Sequence, residues 1–588
     1  MFFFGFEEKS VEIILQNIVF PNKYSYCDNS LYYIDKFKNC CVSNDEHNLF
    51  IPKGNTVIFR SYFNLFSIKG WNRIRKLNFL KLRLSFKGNL LLTFWYVYKR
   101  NSTTFLNEYN LYSNGVEEVN LDITDISDYS DGYIYFDCYS YKDSYLYSAC
   151  YETDISDSVR KIKMAIVITH FNRQKQITRT IKKLSETIDN SSDLKNVKLI
   201  IVDNSCNLSV EDSPYLKVIK NKNFGGSGGF TRGLLYAEDH DFSHCLFMDD
   251  DANCDVEGIF RTLRFLELSK DEDNIAIAGS LFYKENPNVI HEKGATFDII
   301  CKPICCDYDL SNIDNLLIVE NDDTHIDYGA WCYFAFDIKQ VKKYPYPFFV
   351  RGDDILFSLV NKFNIVTLNG IATWIDSFDI KESLITRYLH IRAESVICAL
   401  LGHDAEETFM YTKKEIYRLL YTYQYEEASA IILAVQEFLK GPKIFTQDME
   451  GVGFRNKISL LKGANTFVNS KKFPHASNSK HISRLMKFFI CLSLHGCLLP
   501  SFLFHKTPRI IDAGNIYESF LNKNIIFQSK FPPYYAYSFD RKKCIQGIIK
   551  VVKLEREFYK NYDKVKKMYL SNAQELMNKE FWKSKFDI

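Results

Sequence analysis

Asn223-Phe224-Gly225-Gly226-Ser227-Gly228-Gly229, followed downstream by Phe247-Met248-Asp249-Asp250-Asp251, decides how this chain is read. Cys245 to Met248 is an apolar run with the length of a short buried strand, and it ends abruptly in carboxylates. Side chains alternate faces along a strand, so Asp249 and Asp251 can point together while Asp250 points away. Hard oxygen ligands on one side of a strand end suit Mg²⁺ or Mn²⁺. Taken alone, the triplet also reads as a solvated acidic turn; the glycine-rich segment before it favours a ligand site.

Outward from that stretch, the chain from Lys161 alternates strand and helix patterns. Met164 to Thr169 is a buried-strand run, and Ile177, Ile181, Leu184 and Ile188 follow at helical spacing. Lys198 to Val202 and Leu216 to Ile219 are further strands, and Phe230 to His240 is a helix carrying Leu234, Leu235 and Ala237. An open α/β sheet binds ligands at the carboxyl ends of its strands. Each end here carries polar residues: Thr169 to Arg173, Asp203-Asn204, Asn223, and Asp249 to Asp251. The glycine segment is neither a P-loop, for want of Lys-Ser/Thr, nor a dinucleotide fingerprint, since Thr231 stands where the third glycine belongs. It reads as an open turn into a helix, with glycines admitting a ligand to the backbone and the helix start offering N–H groups to an anion.

At 588 residues the chain exceeds one core, and about three domains are expected. Residues 1–155 are strand-rich, 156–400 form the α/β region, and 401–588 read as helical. The first region suggests a β-sandwich whose aromatics are either core or sugar contacts. A formal net charge of +2 argues against a nucleic-acid partner. The 16 cysteines lack zinc-site spacing and read as reduced. Met1 to Glu8 has no signal-peptide pattern, which points to the cytoplasm. Phe488 to Phe504 is apolar but short for a membrane span, and Lys480, Arg484, Lys487, Lys506 and Arg509 flank it. Two readings stand: a buried core helix pair, or a patch resting on an anionic membrane surface.

Thr169 to Arg173 (THFNR), Val202 to Asn204 (VDN), Asn223 to Gly233 (NFGGSGGFTRG) and Met248 to Asp251 (MDDD), in this order, resemble the nucleotide-binding half of family-2 GT-A glycosyltransferases. The resemblance narrows to bacterial UDP-galactofuranose-dependent galactofuranosyltransferases through three further segments. Ser61-Tyr62-Phe63-Asn64 with Trp71 resembles part of that family's amino-terminal β-sandwich. Asp327-Tyr328-Gly329-Ala330-Trp331 resembles its acceptor-side segment, and Phe349 to Asp354 its segment ending in the catalytic base. The likeness runs from about residue 60 to 400. It implies a GT-A domain between an amino-terminal β-sandwich and a carboxy-terminal helical domain. It also implies an inverting, metal-dependent enzyme of cell-surface polysaccharide synthesis, peripheral on the inner face of the cytoplasmic membrane. Its partners would be UDP-galactofuranose and a polysaccharide or glycolipid acceptor; self-association stays open.

Residue by residue, the resemblance places Arg173 and Asp203 at the uridine, and Asn223, Gly225 and Gly226 at the diphosphate. Asp249 and Asp250 would lie by the ribose and diphosphate, with Asp251, joined by Asp249, on Mn²⁺ or Mg²⁺. Trp331 and Tyr328 would receive the acceptor, and Asp354, with Asp353 beside it, would take its proton. His390, in Tyr388-Leu389-His390-Ile391-Arg392, would face the donor phosphates or the metal. The chain departs from the family where Ile375 follows Trp374 in place of a metal-binding histidine, leaving Asp376, His390 or water to complete the shell. It departs again at Gly352, Cys332 and Ala295 on the acceptor side. Two other functions stay open: a GT-A transferase using UDP-galactopyranose or UDP-glucose, and a non-catalytic carbohydrate-binding protein.

Overall fold

Alternate residues of the strand Phe79–Val97, namely Leu80, Leu82, Leu84, Phe86, Leu90, Leu92 and Phe94, are buried. That period-2 pattern fixes which face of the amino-terminal sheet is core. In this computed structural model the described residues are 11–43, 48–99, 102–155, 159–378, 380–461, 466–468, 483–512, 516–528 and 534–588. Met1 to Glu8 and Lys480, both used in the sequence reading, lie outside them. Phe79–Val97 pairs with Thr103–Asp125 along one edge. Its other edge is shared, residues 81–87 pairing with Ser144–Ile155 and residues 90–97 with Tyr133–Ser140. The result is one branched ten-stranded antiparallel sheet.

The α/β region is built on seven strands: β1 (Met164–His170), β2 (Val197–Asp203), β3 (Leu216–Lys220), β4 (His244–Asp249), β5 (Ile275–Ala278), β6 (Phe334–Asp337) and β7 (Asn364–Val366). Their order is β3-β2-β1-β4-β6-β5-β7. The β3, β2, β1 and β4 strands are mutually parallel, and β6 runs against both β4 and β5. Strands buried on both faces need continuous apolar sequence, and β1, β2 and β4 supply it. A smaller sheet includes Ser280–Tyr283 and Ala372–Ile375, and its strand Ile290–Glu292 places His291 and Glu292 in the wall of the site cavity.

Buried charge joins the amino-terminal sheet to this region. Arg261, fully buried on the helix Val256–Leu268, donates to Glu257 (2.8 Å) and to the carbonyls of Phe63 (2.6 Å), Asn17 (3.2 Å) and Asn369 (2.9 Å). Asn17 in turn donates to Glu257 from its backbone and side chain, at 2.9 and 2.8 Å. Trp374 is core, ringed by Tyr26, Phe63 and Phe282, with its Nε1 donating to the Pro287 carbonyl at 2.8 Å.

The carboxy-terminal region departs from an all-helical reading. The helix Leu384–Leu401 runs through the boundary expected at 400 and packs on Tyr425–Phe438. A four-stranded sheet lies among the later helices, its strands three to five residues each. Strands that short leave too few alternations for periodicity to show. The buried helix pair expected at Phe488 to Phe504 is not formed. A single helix, Arg484–Leu492, stands there with Leu485 82%, Phe488 67% and Leu492 65% exposed. Past Pro500, Phe502 is 81% exposed. No helix of the described residues is long and apolar enough to cross a membrane.

Gly229 faces β1 so closely that a Cβ would collide with Thr169. Gly229→Ala should therefore destabilise the α/β region by about 1–3 kcal/mol, the usual cost of overpacking. The check is the urea midpoint, expected to fall; an unchanged midpoint would mean that β1 gives way without cost.

Candidate active site

The glycine segment is helix rather than open turn. A helix, α1 (Gly225–Asp239), begins at the first glycine. Most of its glycines exist for packing: a Cβ would meet Phe224 at Gly228, Thr169 at Gly229 and Val167 at Gly233. Packing thus accounts for Gly228 and Gly229 among the four close glycines, while Gly226 lines the site cavity. Gly225 has a different role. Its φ of +69° favours glycine, and a Cβ there would strike the Phe349 carbonyl. That close approach lets Ser227 N–H donate to the Phe349 carbonyl at 3.1 Å, while Ser227 Oγ donates to Asp353 at 3.0 Å. Asn223 Oδ1 accepts from Gly225 N–H at 3.1 Å, and Asn204 Nδ2 donates to the Gly225 carbonyl at 3.0 Å.

The acidic triplet divides by face. Asp249 and Asp251 line a cavity of about 550 Å³. Asp250 turns away to accept from Arg173 (2.7 Å) and the Phe171 N–H (3.3 Å), with His170 Nδ1 at 3.3 Å. Asp203 is fully buried, and its oxygens accept from Ser205 and from the Leu208 N–H. Neither Asp203 nor Asp250 lines the cavity; their side chains tie the loops after β2 and β4. Arg173 does reach it, bridging Asp250 and Asp251.

The opposite wall is the loop before the helix α2 (Asp353–Asn361). Phe349, Arg351 and Gly352 all have positive φ, an unusual density of strain at one loop. Arg392 braces it, donating to the Phe348 carbonyl at 2.9 Å. Asp353 and Asp354 both line the cavity. Burial, reinforced by Asp354, pushes the Asp353 carboxyl up to about 8, and burial also raises Asp354. Trp331 and Tyr328 line the same cavity, but Trp331 is also core, edge-on to Phe230 and Phe247 at 5.0 Å each. His390 is on the Asp354 side, its Nε2 3.1 Å from Glu394.

Residues that the sequence did not single out complete the cavity. Glu292 lines it, its carboxyl pushed up to about 8 by burial and by Asp354. It lay in plain view in His291-Glu292-Lys293-Gly294, three positions before Ala295. Lys381 places its Nζ 2.7 Å from Asp251 Oδ2, and Cys332 donates to Asp249 at 3.3 Å. No spacing signal in the sequence marks Lys381. Burial and Asp251 push Asp249 up to about 7; Lys381 and Arg173 hold Asp251 below its usual range although burial opposes them.

This donor set does not fit a resident divalent ion. Ile375 is buried against Leu281 and Cys332. The third ligands expected are engaged elsewhere, Asp376 with Lys284 at 3.4 Å and His390 with Glu394. Among the described residues no group of three His, Cys, Asp or Glu side chains is disposed to hold a metal.

Comparison with known proteins decides the family. A model described as "Galactofuranosyltransferase 2 N-terminal" matches residues 15–154, and "Glycosyl transferase family 2" matches residues 165–338. The chain is a family-2 glycosyltransferase. Its α/β region accordingly has the GT-A nucleotide-sugar transferase fold, preceded by a separate amino-terminal domain. The galactofuranosyltransferase GlfT2 of Mycolicibacterium smegmatis is 24% identical over 480 residues, covering 74% of this chain and 72% of that protein. GlfT2 of Mycobacterium tuberculosis is 23% identical over 436 residues, covering 67% of each. A solved family 29 carbohydrate-binding module from Piromyces equi overlaps 24% of this glycosyltransferase and 90% of its own chain. At 8% identity and a TM-score of 0.15, that overlap carries no weight.

Asp353→Asn should reveal the raised carboxyl. Where folding raises an acid's pKa, the folded chain keeps a proton that the unfolded chain has released. Stability then falls as pH rises from the ordinary carboxylate range (~4) toward about 8, by at most about 1.4 kcal/mol per pH unit. Apparent melting temperatures of wild type and variant, compared at acid and alkaline pH, should show the variant gaining with pH. A constant difference would mean that Asp353 titrates normally.

Proposed function

We propose that this glycosyltransferase transfers galactofuranose, with inversion, from UDP-galactofuranose to a growing lipid-linked cell-surface polysaccharide. The observation that carries this reading is the single cavity in which Arg173, Asp249 and Asp251 face Asp353 and Asp354, in a chain whose relatives are galactofuranosyltransferases. Arg173 and the amino-terminal end of α1, with Asn223, Gly225 and Gly226, bind the nucleotide diphosphate. Asp249 fixes the donor beside it. Trp331 and Tyr328 receive the acceptor sugar. Asp354 takes the acceptor hydroxyl proton as its oxygen attacks the anomeric carbon, and the bond to the β-phosphate oxygen breaks with its electron pair leaving on UDP. Asp353, tied to Ser227, keeps the donor helix and the base in one frame. Family-2 transferases commonly use a divalent metal, Mn²⁺ or Mg²⁺ being the ions expected here. The residues present do not fit one, and no step is routed through it.

The chain acts at the inner face of the cytoplasmic membrane. What supports this is the exposure of Leu485, Phe488 and Leu492 on the helix Arg484–Leu492 and of Phe502 after it, with Arg484, Lys487, Lys506 and Arg509 close to them in sequence. Arg484→Glu with Lys487→Glu should reduce co-sedimentation with anionic liposomes. Undiminished binding would remove that surface from the membrane.

The donor is tested by UDP release from UDP-galactofuranose, UDP-galactopyranose and UDP-glucose, each with and without a short galactose-containing acceptor. Acceptor-stimulated release is expected from the furanose donor, and Asp354→Asn should cut it by about 10²- to 10⁴-fold, the usual worth of a general base. The limb of kcat/KM on the acid side should lie above the ordinary carboxylate range, because burial raises Asp354. Release from a pyranose donor alone would keep the fold and replace the sugar.

A further inference from the structure

The cation facing the donor carboxylates is part of the chain. Lys381 follows the strand Ala372–Ile375, and the segment carries its ammonium to the face on which Asp249 and Asp251 lie. Its Nζ is 2.7 Å from Asp251 Oδ2, and Arg173 Nη1 is 3.1 Å from the same oxygen. Lys284 closes a third side, donating to the Asp251 carbonyl at 2.8 Å. The oxygen that should bind a metal is thus already bonded to an ammonium and a guanidinium. A divalent ion added there would meet two positive charges at short range. Ile375, at the position of a further ligand, contributes an apolar side chain.

We propose that Lys381, together with Arg173, takes the place of a divalent cation in this enzyme: it binds the donor diphosphate directly and neutralises the departing UDP. The proposal rests on the cavity being a nucleotide-sugar site. Lys381 lines that cavity and remains a quarter exposed, so its flexible stem can carry the ammonium from Asp251 toward a phosphate oxygen. Asp251 then serves as the resting partner that keeps Lys381 charged and in place. In the reaction Lys381 keeps its proton: the acceptor proton goes to Asp354, the anomeric C–O bond to the β-phosphate breaks, and its electron pair stays on UDP. The new charge is met by an ammonium and a guanidinium already in position.

The test is calorimetric titration of the full chain with UDP, in excess EDTA and again with Mn²⁺. Wild type should bind UDP in EDTA within about threefold of its affinity with Mn²⁺. Lys381→Ala should weaken binding in EDTA by about 10- to 100-fold, the worth of a charge-assisted hydrogen bond. Lys381→Arg should retain most of it. UDP binding by wild type only when Mn²⁺ is present would overturn the proposal, as would undiminished binding by Lys381→Ala. Should Lys381→Ala fail to fold by circular dichroism, the wild-type titration and Lys381→Arg still decide. UDP carries no sugar, so turnover of a pyranose donor would sink the furanose assignment and leave this proposal standing. Failure of UDP to bind under either condition would overturn both.

Discussion

The Phe349 carbonyl accepts a hydrogen bond from Ser227 N–H, and the active site is organised around that contact. A backbone atom can approach a helix terminus this closely only where no side chain intervenes, and Gly225 provides the gap. The bond holds the first turn of the donor helix against the strained loop that carries Arg351 to Asp354. Ser227 Oγ adds a second tie, to Asp353, in the same turn. Donor and acceptor walls are therefore spaced by hydrogen bonds of fixed length, as a displacement reaction needs when its reacting atoms must be held within a few tenths of an ångström.

The flanking domains hold this frame from both sides. Arg261 satisfies carbonyls of Asn17, Phe63 and Asn369 with one guanidinium, so that the amino-terminal sheet and the loop before Ala372–Ile375 share one buried charge. A buried charge of this kind is costly to leave unpaired, and it therefore penalises any separation of the domains. At the other end of the chain, Trp582 is fully buried and donates to the Pro345 carbonyl at 2.8 Å. Lys579 reaches Glu238 on the donor helix at 2.8 Å, and Phe586 packs near Phe224. The last helix thus touches both the donor helix and the approach to the base loop.

Much of the central fold was legible because parallel strands write themselves as continuous apolar runs, and a sheet gathers their carboxyl ends along one edge. That is why Arg173, Asp249 and Asp251 could be placed along one sheet edge from the sequence, whereas the Asp353-Asp354 pair joined them only through its resemblance to the galactofuranosyltransferases. The errors have physical causes too. The spacing of Gly225 to Gly233 is the same whether a glycine admits a ligand or a neighbouring strand, and only the positions of Thr169 and Val167 show that packing governs most of them. Asp203 and Asp250 stand at strand ends like their neighbours, and the N–H donors that hold them off the cavity wall come from loops whose course no period in the sequence marks. Lys381 follows no period and no motif; a loop after a short strand brings it to Asp251. The exposure of Arg484–Leu492 was equally hidden, since an apolar helix reads alike whether it faces a core or solvent.

Charge balance in the cavity favours a side-chain cation at the donor. Burial raises Asp249, Asp353, Asp354 and Glu292 together, so the site holds acids that resist ionisation. Only Asp251 is held low, and it is the one acid with an ammonium and a guanidinium on the same oxygen. A diphosphate entering such a site finds its counter-charge at Lys381 and Arg173 and little repulsion from Asp249. A site arranged for a divalent ion needs one or two ionised carboxylates free to bind it beside the donor phosphates, whereas Asp251 here is already bonded to an ammonium and a guanidinium. The apolar side chain of Ile375 and the approach of Lys381 to Asp251 therefore act in one direction, and both favour a side-chain cation beside the donor carboxylates.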